Sequence, residues 1–276
     1  MPWRAEPTPY RVIVSEFMLQ QTQVERVVPI FERFVAQFPN FEVLAAAARS
    51  DVVRAWKGLG YNVRAVRLHE LARAVQSDAG VPSDEAALRD LPGVGPYTAR
   101  AIRAFAFNAD VVAVDTNVRR IIHRTQFGDG RPAGTGEREL DGLAATLVPP
   151  GRGFAFNSAL MDLGAMVCGA RSPKCPICPL RTRCAAAPFS GRALERRASV
   201  AARRVPFERT SRYLRGRIVD RLRALPANRR ISLLDLSAEL AVTAPHHSSE
   251  AISVALAALA RDGLIDHSRD RVRLRS

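Results

Sequence analysis

The stretch Leu91-Pro92-Gly93-Val94-Gly95-Pro96-Tyr97-Thr98-Ala99 decides the fold of this chain. Gly93 and Gly95 permit a tight turn, because no Cβ atom stands in the way. The turn leads directly into a helical pattern, whose free amides form an anion site suited to one phosphate. A plain glycine-rich connection between helices is the alternative, since a lone Gly-x-Gly is a weak signal.

Composition and charge indicate a globular protein with an anionic partner. The chain has 276 residues, of which 47% are apolar and 25% charged. The net charge is +14, and Lys57 and Lys174 are the only lysines beside many arginines. Arginine suits phosphate recognition and so favours nucleic acid, although a GC-rich genome would also enrich Arg.

No apolar run approaches the ~18 residues of a membrane span, and no secretory signal opens the chain. We therefore expect a location in the cytoplasm, associated with the nucleoid. We also expect a monomer.

The spacing of apolar residues is helical nearly throughout and predicts an all-α fold. The run Val111–Val114 is apolar and short, but one such run makes no sheet. We predict four parts, which are a helical domain over 1–122, a cysteine-bearing domain over 123–187, a linker over 188–208 and a small unit over 209–276.

The small C-terminal unit has the outline of a winged helix. Helical patterns cover roughly Arg212–Arg223, Ser232–Leu240 and Ser249–Arg261, and Leu264–Asp266 can pair with Val272–Leu274 as a hairpin. Three helices with a terminal hairpin are typical of this variant of the helix-turn-helix DNA readers. A small packing domain without DNA contact is the alternative.

Four cysteines lie in one short segment. Cys168, Cys175, Cys178 and Cys184 have the spacing C-x6-C-x2-C-x5-C. The prolines between them break helices and allow loop turns that bring the thiols together. Structural zinc is one interpretation. One C-x2-C pair with a lone cysteine on either side suits an iron–sulfur cubane better than a zinc ribbon.

The motifs together resemble the helix-hairpin-helix DNA glycosylases over roughly residues 8–187. The 91–99 string resembles the hairpin of that family, and the cysteine spacing resembles the cluster of endonuclease III and the adenine DNA glycosylases. Ser15–Thr22, which reads S-E-F-M-L-Q-Q-T, closely resembles the motif of the adenine branch. The resemblance implies a helix-hairpin-helix glycosylase fold, a [4Fe-4S] cluster on the four cysteines, and double-stranded DNA with a mispaired or damaged base as the partner.

Cleavage of a glycosidic bond needs a group that protonates the base and a carboxylate that faces the sugar cation, after the base has been flipped into a pocket. The resemblance implies that Glu16 is the acid and that Asp115 faces the sugar, with Asn117 beside it in Val114–Val118. Apolar neighbours would raise the pKa of Glu16. The alternatives are that Glu16 is an exposed helix residue and that Asp115 only caps the N-terminus of a helix.

Position 97 divides the family. Members that also cut the strand carry a lysine there, which forms a Schiff base. This chain has Tyr97, which predicts a monofunctional enzyme that uses water; an aromatic residue that is part of the core is the alternative.

The predicted DNA contacts come from the same motifs. They are Gln20, Gln21, Thr22, Tyr61, Gly93, Gly95, Thr98, Arg171 and Lys174. The chain departs from the adenine branch in three ways. It has Gly60-Tyr61-Asn62 in place of two adjacent aromatics, Ser158 where many members have an adenine-reading Gln, and no hydrolase-like domain that reads oxidised guanine.

The resemblance implies a glycosylase that removes adenine opposite 8-oxoguanine or guanine. A mismatch thymine or uracil glycosylase of the same superfamily is the first alternative, although Gln20-Gln21-Thr22 favours adenine. A DNA-binding regulator without catalysis is the second alternative, and the paired carboxylates count against it.

Overall fold

The computed structural model describes residues 1–128, 136–187, 205–227, 229–268 and 270–276. Most of the predicted linker, 188–204, lies outside these residues. The helices of the first part are α1 Pro2–Ala5, α2 Pro9–Leu19, α3 Val24–Gln37, α4 Phe41–Ala46, α5 Arg49–Ala55, α6 Val63–Val75, α7 Glu85–Asp90 and α8 Pro96–Ala106. They are followed by α9 Thr116–Phe127, α10 Glu137–Thr146 and α11 Gly153–Asp162. The predicted helical fold is confirmed.

Helix α2 lies at the centre of the main core. It packs against α3, α6 and α8, and Ile13, Val14 and Phe17 on it have no exposed surface. Burying one such side chain stabilises the fold by roughly 1.5–3 kcal/mol. Because α2 is covered on several sides, the same helix also buries its one carboxylate, Glu16.

The quoted glycine-rich stretch forms a hairpin between α7 and α8, as predicted. Asp84 caps α7 by accepting from the Ala87 amide at 2.8 Å, and Pro96 occupies the first turn of α8. Gly93 has a φ of +80°, and a Cβ on it would come within 2.8 Å of Phe17. Glycine is therefore required at this position for its backbone angle and for its packing against α2.

A second core joins α9, α10 and α11. Its buried members include Val118, Ile121 and Leu160. Beside it, Val111–Val114 forms no strand, because the side chain of Asn157 pairs with its backbone instead. That side chain accepts from the Ala113 amide at 2.9 Å and donates to the Val111 carbonyl at 2.7 Å.

The predicted boundary at 122/123 falls within α9. The first residues of this single helix lie near Gly164, and its last turn lies beside the cysteine segment. The helix therefore joins the two predicted parts into one continuous element.

The C-terminal unit contains the predicted helices and hairpin. Its elements are β1 Ile231–Ser232, β2 Ile265–His267, β3 Arg271–Leu274, α12 Ser211–Arg223, α13 Leu233–Thr243 and α14 Ser249–Arg261. The three strands form an antiparallel sheet in the order β1-β3-β2. Strand β1 was not predicted, and Ser232, predicted as helical, caps α13 by accepting from the Asp235 amide at 3.0 Å.

The C-terminal unit packs directly on the N-terminal helices. Arg223 donates to the Val53 carbonyl at 2.9 Å and to Asn62 at 2.8 Å. In return, Arg54 donates to the Leu225 carbonyl at 2.9 Å. Within the described ranges, none of the helices combines the length and the apolar character that crossing a membrane requires.

Candidate active site

The four residues predicted to be catalytic line one pocket. Glu16, Tyr97, Asp115 and Asn117 surround a cavity of about 320 Å³. Its other walls include Trp3, Arg4, Leu19, Val24, Phe105, Phe154 and Met161. A cavity of this size with mostly apolar walls and a few polar groups is typical of small-molecule binding sites.

Glu16 is buried in this pocket and is not an exposed helix residue. Only 7% of its surface is exposed. Burial raises the pKa of Glu16 to about 7, and the charge of Asp115 adds to the increase while Arg4 opposes it. The carboxyl group is thus able to hold a proton near neutral pH and to donate it.

Asp115 both caps α9 and faces the pocket. One of its carboxylate oxygens accepts from the amides of Asn117 and Val118 at 2.8 and 2.7 Å. The other accepts from the Asn117 side chain at 3.1 Å. Three donors fix the carboxylate in place and stabilise its negative charge, so the N-cap interpretation holds and is compatible with catalysis.

Asn117 is positioned by an arginine that the sequence did not single out. Its side-chain oxygen accepts from Arg120 at 2.9 Å. Arg120 also donates to the carbonyls of Cys168 and Gly164, both at 2.9 Å. The same guanidinium therefore connects the pocket with the start of the cysteine segment. The helical position i+3 from Asn117 is the one signal that could have indicated Arg120.

Tyr97 follows Pro96 in the first turn of α8. It packs in part against the main core and also lines the pocket. Tyr97 is therefore both a core residue and a residue of the candidate site. Burial raises the pKa of its phenol well above the ordinary value, with Glu16 and Asp115 adding to the effect. The phenol is therefore neutral and offers a hydrogen bond but no amine.

Ser158 is not among the described residues that line this pocket. It stands where the adenine branch often has a glutamine, yet Phe154 and Met161 of the same helix region face the cavity. The hydroxyl of Ser158 is buried without a hydrogen-bond partner among the described residues.

Two of the four cysteines, Cys168 and Cys184, lie beside the last turn of α9. The Arg124 guanidinium donates to the Cys168 sulfur at 3.3 Å, and the Cys184 thiol donates to the Arg124 carbonyl at 3.5 Å. Cys175 and Cys178 share one turn, closed by an amide–carbonyl bond of 3.2 Å. Among the described residues, no three Cys, His, Asp or Glu side chains converge as a metal-binding group. The donor set itself, four thiols without carboxylate or imidazole, suits an iron–sulfur cluster or zinc.

Arg171 and Lys174 are exposed on the loop between the first two cysteines. Arg124 supports this loop by donating to the carbonyls of Gly169 and Ala170 at 2.8 and 3.0 Å. The loop thus presents positive charge to the surroundings, as a phosphate contact requires.

The predicted hairpin contacts border a second, shallow cavity. Gln20, Gly93, Gly95 and Thr98 line it. Thr98 is buried, with 5% of its surface exposed. The sequence did not single out the two arginines at the same cavity, Arg67 and Arg89, whose side chains are exposed. These add the charge that a DNA phosphate would meet at the helix start.

Arg64 holds together the two loops that carry Gln21 and Tyr61. Its guanidinium is buried and donates to the Met18 carbonyl, in the last turn of α2 before the first loop, and to the Leu59 carbonyl in the second loop, both at 3.0 Å. It also donates to the Thr22 hydroxyl at 3.1 Å. No sequence signal could have identified it, because its acceptors are mainly backbone carbonyls of distant segments.

Both loops place a side chain in a left-handed backbone conformation. The φ angles are +55° at Gln21 and +43° at Tyr61. Such angles are strained for residues with a Cβ and often mark functional sites. The network around Arg64 maintains this strain and aims both side chains outward.

The comparisons with known proteins identify the family of this chain. The family model of HhH-GPD superfamily base excision DNA repair proteins matches residues 14–145. The adenine DNA glycosylase of Mycolicibacterium smegmatis is 46% identical over 231 residues, which are 81% of this chain and 75% of that protein.

Two solved structures share the fold. A thermostable thymine-DNA glycosylase has a TM-score of 0.63 and 36% identity, over 68% of this chain and 88% of that chain. A trapped endonuclease III–DNA covalent intermediate has a TM-score of 0.56 and 24% identity, over 66% and 85%. The chain therefore belongs to the HhH-GPD superfamily of base excision DNA repair proteins, in the group that includes the adenine DNA glycosylases.

Proposed function

We propose that this chain is a monofunctional DNA glycosylase that hydrolyses the N-glycosidic bond of adenine opposite 8-oxoguanine or guanine. The observation that carries the proposal is the buried Glu16, whose pKa is raised to about 7, in one pocket with Asp115. The relative from M. smegmatis, an adenine DNA glycosylase, supports the choice of adenine.

The reaction uses the two carboxylates in different protonation states. Glu16 donates its proton to a ring nitrogen of the flipped adenine, and the bond from the base to the sugar C1′ breaks with its electron pair on the base. Asp115 stabilises the cation left on the sugar. A water adds to C1′ and gives its proton to the Glu16 carboxylate, which leaves an abasic site and free adenine.

The need for an acid favours adenine over thymine or uracil. Adenine has basic ring nitrogens that an acid can protonate before the glycosidic bond breaks, whereas thymine and uracil offer only weakly basic carbonyl oxygens. A buried, protonated Glu16 supplies that proton, and a regulator without catalysis has no use for it.

The test is a panel of duplexes that contain A:8-oxoG, A:G, T:G or U:G, followed by alkali to cut abasic sites. We expect strand cuts at the adenine of A:8-oxoG and A:G. Cuts at T:G or U:G instead would support the pyrimidine alternative. Binding to every duplex without any cut would support the regulator.

Base release without strand cutting is the expected behaviour of the purified protein. β-Elimination needs a Schiff base between an amine and the sugar, and position 97 offers a phenol. Borohydride should therefore trap no covalent complex with a substrate duplex under conditions in which adenine is released. Efficient trapping that maps to Lys57 or Lys174 would contradict this expectation.

We also propose that Cys168, Cys175, Cys178 and Cys184 hold a [4Fe-4S] cluster. The donor set and the spacing support it, as does membership of this superfamily. When bound, the cluster would fix the loop that carries Arg171 and Lys174 toward the DNA backbone. The cluster takes no part in the steps of base release.

The purified protein should be yellow-brown, with a broad absorbance near roughly 400 nm, as expected for a cysteinyl iron–sulfur centre. Cys178→Ser should lose this colour and fold poorly. Ile177→Ser changes the neighbouring residue, which is 70% exposed, and should keep the colour. A colourless wild-type protein with one equivalent of zinc after anaerobic preparation would refute the cluster.

A further inference from the structure

The three-stranded sheet of the C-terminal unit has a buried face and an exposed face. Side chains alternate between the two faces along each strand. The buried face places four apolar residues in the core, which are Ile231, Ile265, Val272 and Leu274. The residues that alternate with these include four arginines, which are Arg230, Arg271, Arg273 and Arg275. We refer to the surface that these four arginines form as the arginine face.

Two of the four arginines lie just outside the strands but continue the same face. Arg230 directly precedes β1 and is exposed. The Arg275 amide donates to the Leu264 carbonyl at 3.1 Å, so the pairing of β2 with β3 continues to this residue. The arginine face therefore extends across the whole width of the small sheet.

The arginines of this face outnumber the carboxylates beside them. Asp266 is shared between Arg273, at 3.1 Å, and Arg275, at 3.8 Å. Arg271 lies 3.8 Å from Asp270, but both side chains are more than half exposed, so water and salt screen this pair. The face therefore keeps an excess of positive charge.

This excess of charge is unfavourable for the sheet itself. The register of β1 and β3 brings Arg230 beside Arg273, and like charges on neighbouring strands destabilise a sheet. Within the described ranges, no carboxylate pairs with Arg230. An anionic partner would remove the repulsion, whereas a packing role has no need of these charges.

The helices of the same unit offer no comparable surface for DNA. In a helix-turn-helix protein the second helix of the pair reads the major groove, and here that helix is α14. The exposed side chains in its middle turns are Ser253, Val254 and Ala257, and its only arginine, Arg261, stands at its last residue. DNA binding through α14 is therefore not favoured, although the unit has the outline of a winged helix.

The spacing of the arginines on β3 suits a sugar–phosphate backbone. Arg271, Arg273 and Arg275 repeat every two residues, which is roughly 7 Å along the strand and comparable to the distance between successive phosphates of one DNA strand. Guanidinium groups bind phosphate oxygens with two parallel hydrogen bonds. Contacts to phosphates position a protein on the duplex without reading its sequence.

We propose that the arginine face binds the phosphate backbone of duplex DNA beyond the mispair, without regard to sequence. The face thus holds the enzyme on undamaged DNA, where the catalytic pocket has no base to receive. The inference rests on the proposed function only for DNA as the partner. Its tests measure binding and backbone protection, which need no base release.

The first test compares the double variant Arg230→Gln/Arg275→Gln with Arg33→Gln/Arg73→Gln. Both remove two positive charges, but Arg33 and Arg73 are exposed on α3 and α6, outside the described lining of both cavities. The ligand is an undamaged duplex. R230Q/R275Q should weaken binding roughly tenfold at low salt and reduce the log–log salt slope by about 1.8, the value for two phosphate contacts. R33Q/R73Q should keep the wild-type slope, and equal slopes for the two variants would overturn the proposal.

The same variants separate this proposal from the proposed function. Single-turnover adenine release at saturating enzyme should be equal in the wild type and in R230Q/R275Q, because the arginine face is not part of the described lining of the catalytic pocket. Slower release under these conditions would overturn a role that is confined to binding. If the wild type released no adenine while R230Q/R275Q still lost salt slope, the glycosylase function would be refuted and the arginine face would stand.

The second test is hydroxyl-radical footprinting of a duplex with 2′-fluoro-2′-deoxyadenosine, which resists cleavage, opposite 8-oxoguanine. The wild type should protect a stretch of backbone beside the mispair that R230Q/R275Q leaves open, while protection at the mispair itself is unchanged. R33Q/R73Q should give the wild-type pattern. Loss of protection at the mispair alone, or no loss anywhere, would contradict the assignment. Tighter binding of single-stranded DNA than of duplex, lost in R230Q/R275Q, would assign the face to a single strand instead.

Discussion

Glu16→Gln is expected to reduce adenine release by roughly 10²–10⁴-fold, the range for loss of a general acid. Glutamine keeps the size of the side chain but has no acidic proton to transfer to the base. DNA binding should change little, because the arginines and the hairpin that contact phosphate are untouched. Single-turnover base release and the dissociation constant for the same duplex measure the two effects separately.

Glu25→Gln is the matched control. It makes the same substitution at an exposed position in the first turn of α3 and should release adenine at the wild-type rate. Near-wild-type release by E16Q would remove Glu16 as the acid.

Asp115→Asn is expected to lose roughly 10²–10³-fold in the rate of base release, which is the effect of removing one electrostatic group from a transition state. Asparagine is an equally good N-cap, so the variant should keep α9 and the melting temperature. The comparison separates the charge of Asp115 from its structural role.

Asp115→Ala removes both roles. It should lose activity and also about 1 kcal/mol of stability through the lost cap, seen as a lower melting temperature. If D115N were as active as wild type, the carboxylate would be only a cap.

The hairpin and the carboxylates could be predicted because their signals are local. The glycine-rich string fixes the turn within nine residues, and its predicted geometry is confirmed by φ +80° at Gly93. The apolar neighbours of Glu16 on one helix correctly indicated its burial. Periodicity likewise identified the three helices of the C-terminal unit, because one face of each helix meets the core.

Features that depend on distant partners could not be predicted. Arg64 resembles any helix arginine in the sequence, and only the fold brings the carbonyls of Met18 and Leu59 to it. Strand β1 has two residues and is defined by pairing with Arg271 and Val272. A pattern with a period of two cannot be recognised in so short a segment.

The arginines of α12 illustrate the same limit. The sequence allowed the C-terminal unit that carries them to be either a DNA reader or a packing domain. In the fold these arginines have different contacts. Arg223 donates to Val53 and Asn62 of the N-terminal helices, whereas Arg212 donates to the Tyr61 hydroxyl. The same helix therefore packs against the N-terminal helices through one arginine and exposes another.

The pH dependence of single-turnover adenine release tests most directly whether a buried, protonated Glu16 drives the reaction. The pKa of Glu16 is raised to about 7 by burial, and only the protonated form can donate. The rate should therefore be constant below about pH 7 and fall roughly tenfold per pH unit above it. A rate that stays constant up to pH 9, or that already falls around pH 4–5 as for an exposed glutamate, would contradict the assignment of Glu16 as the proton donor.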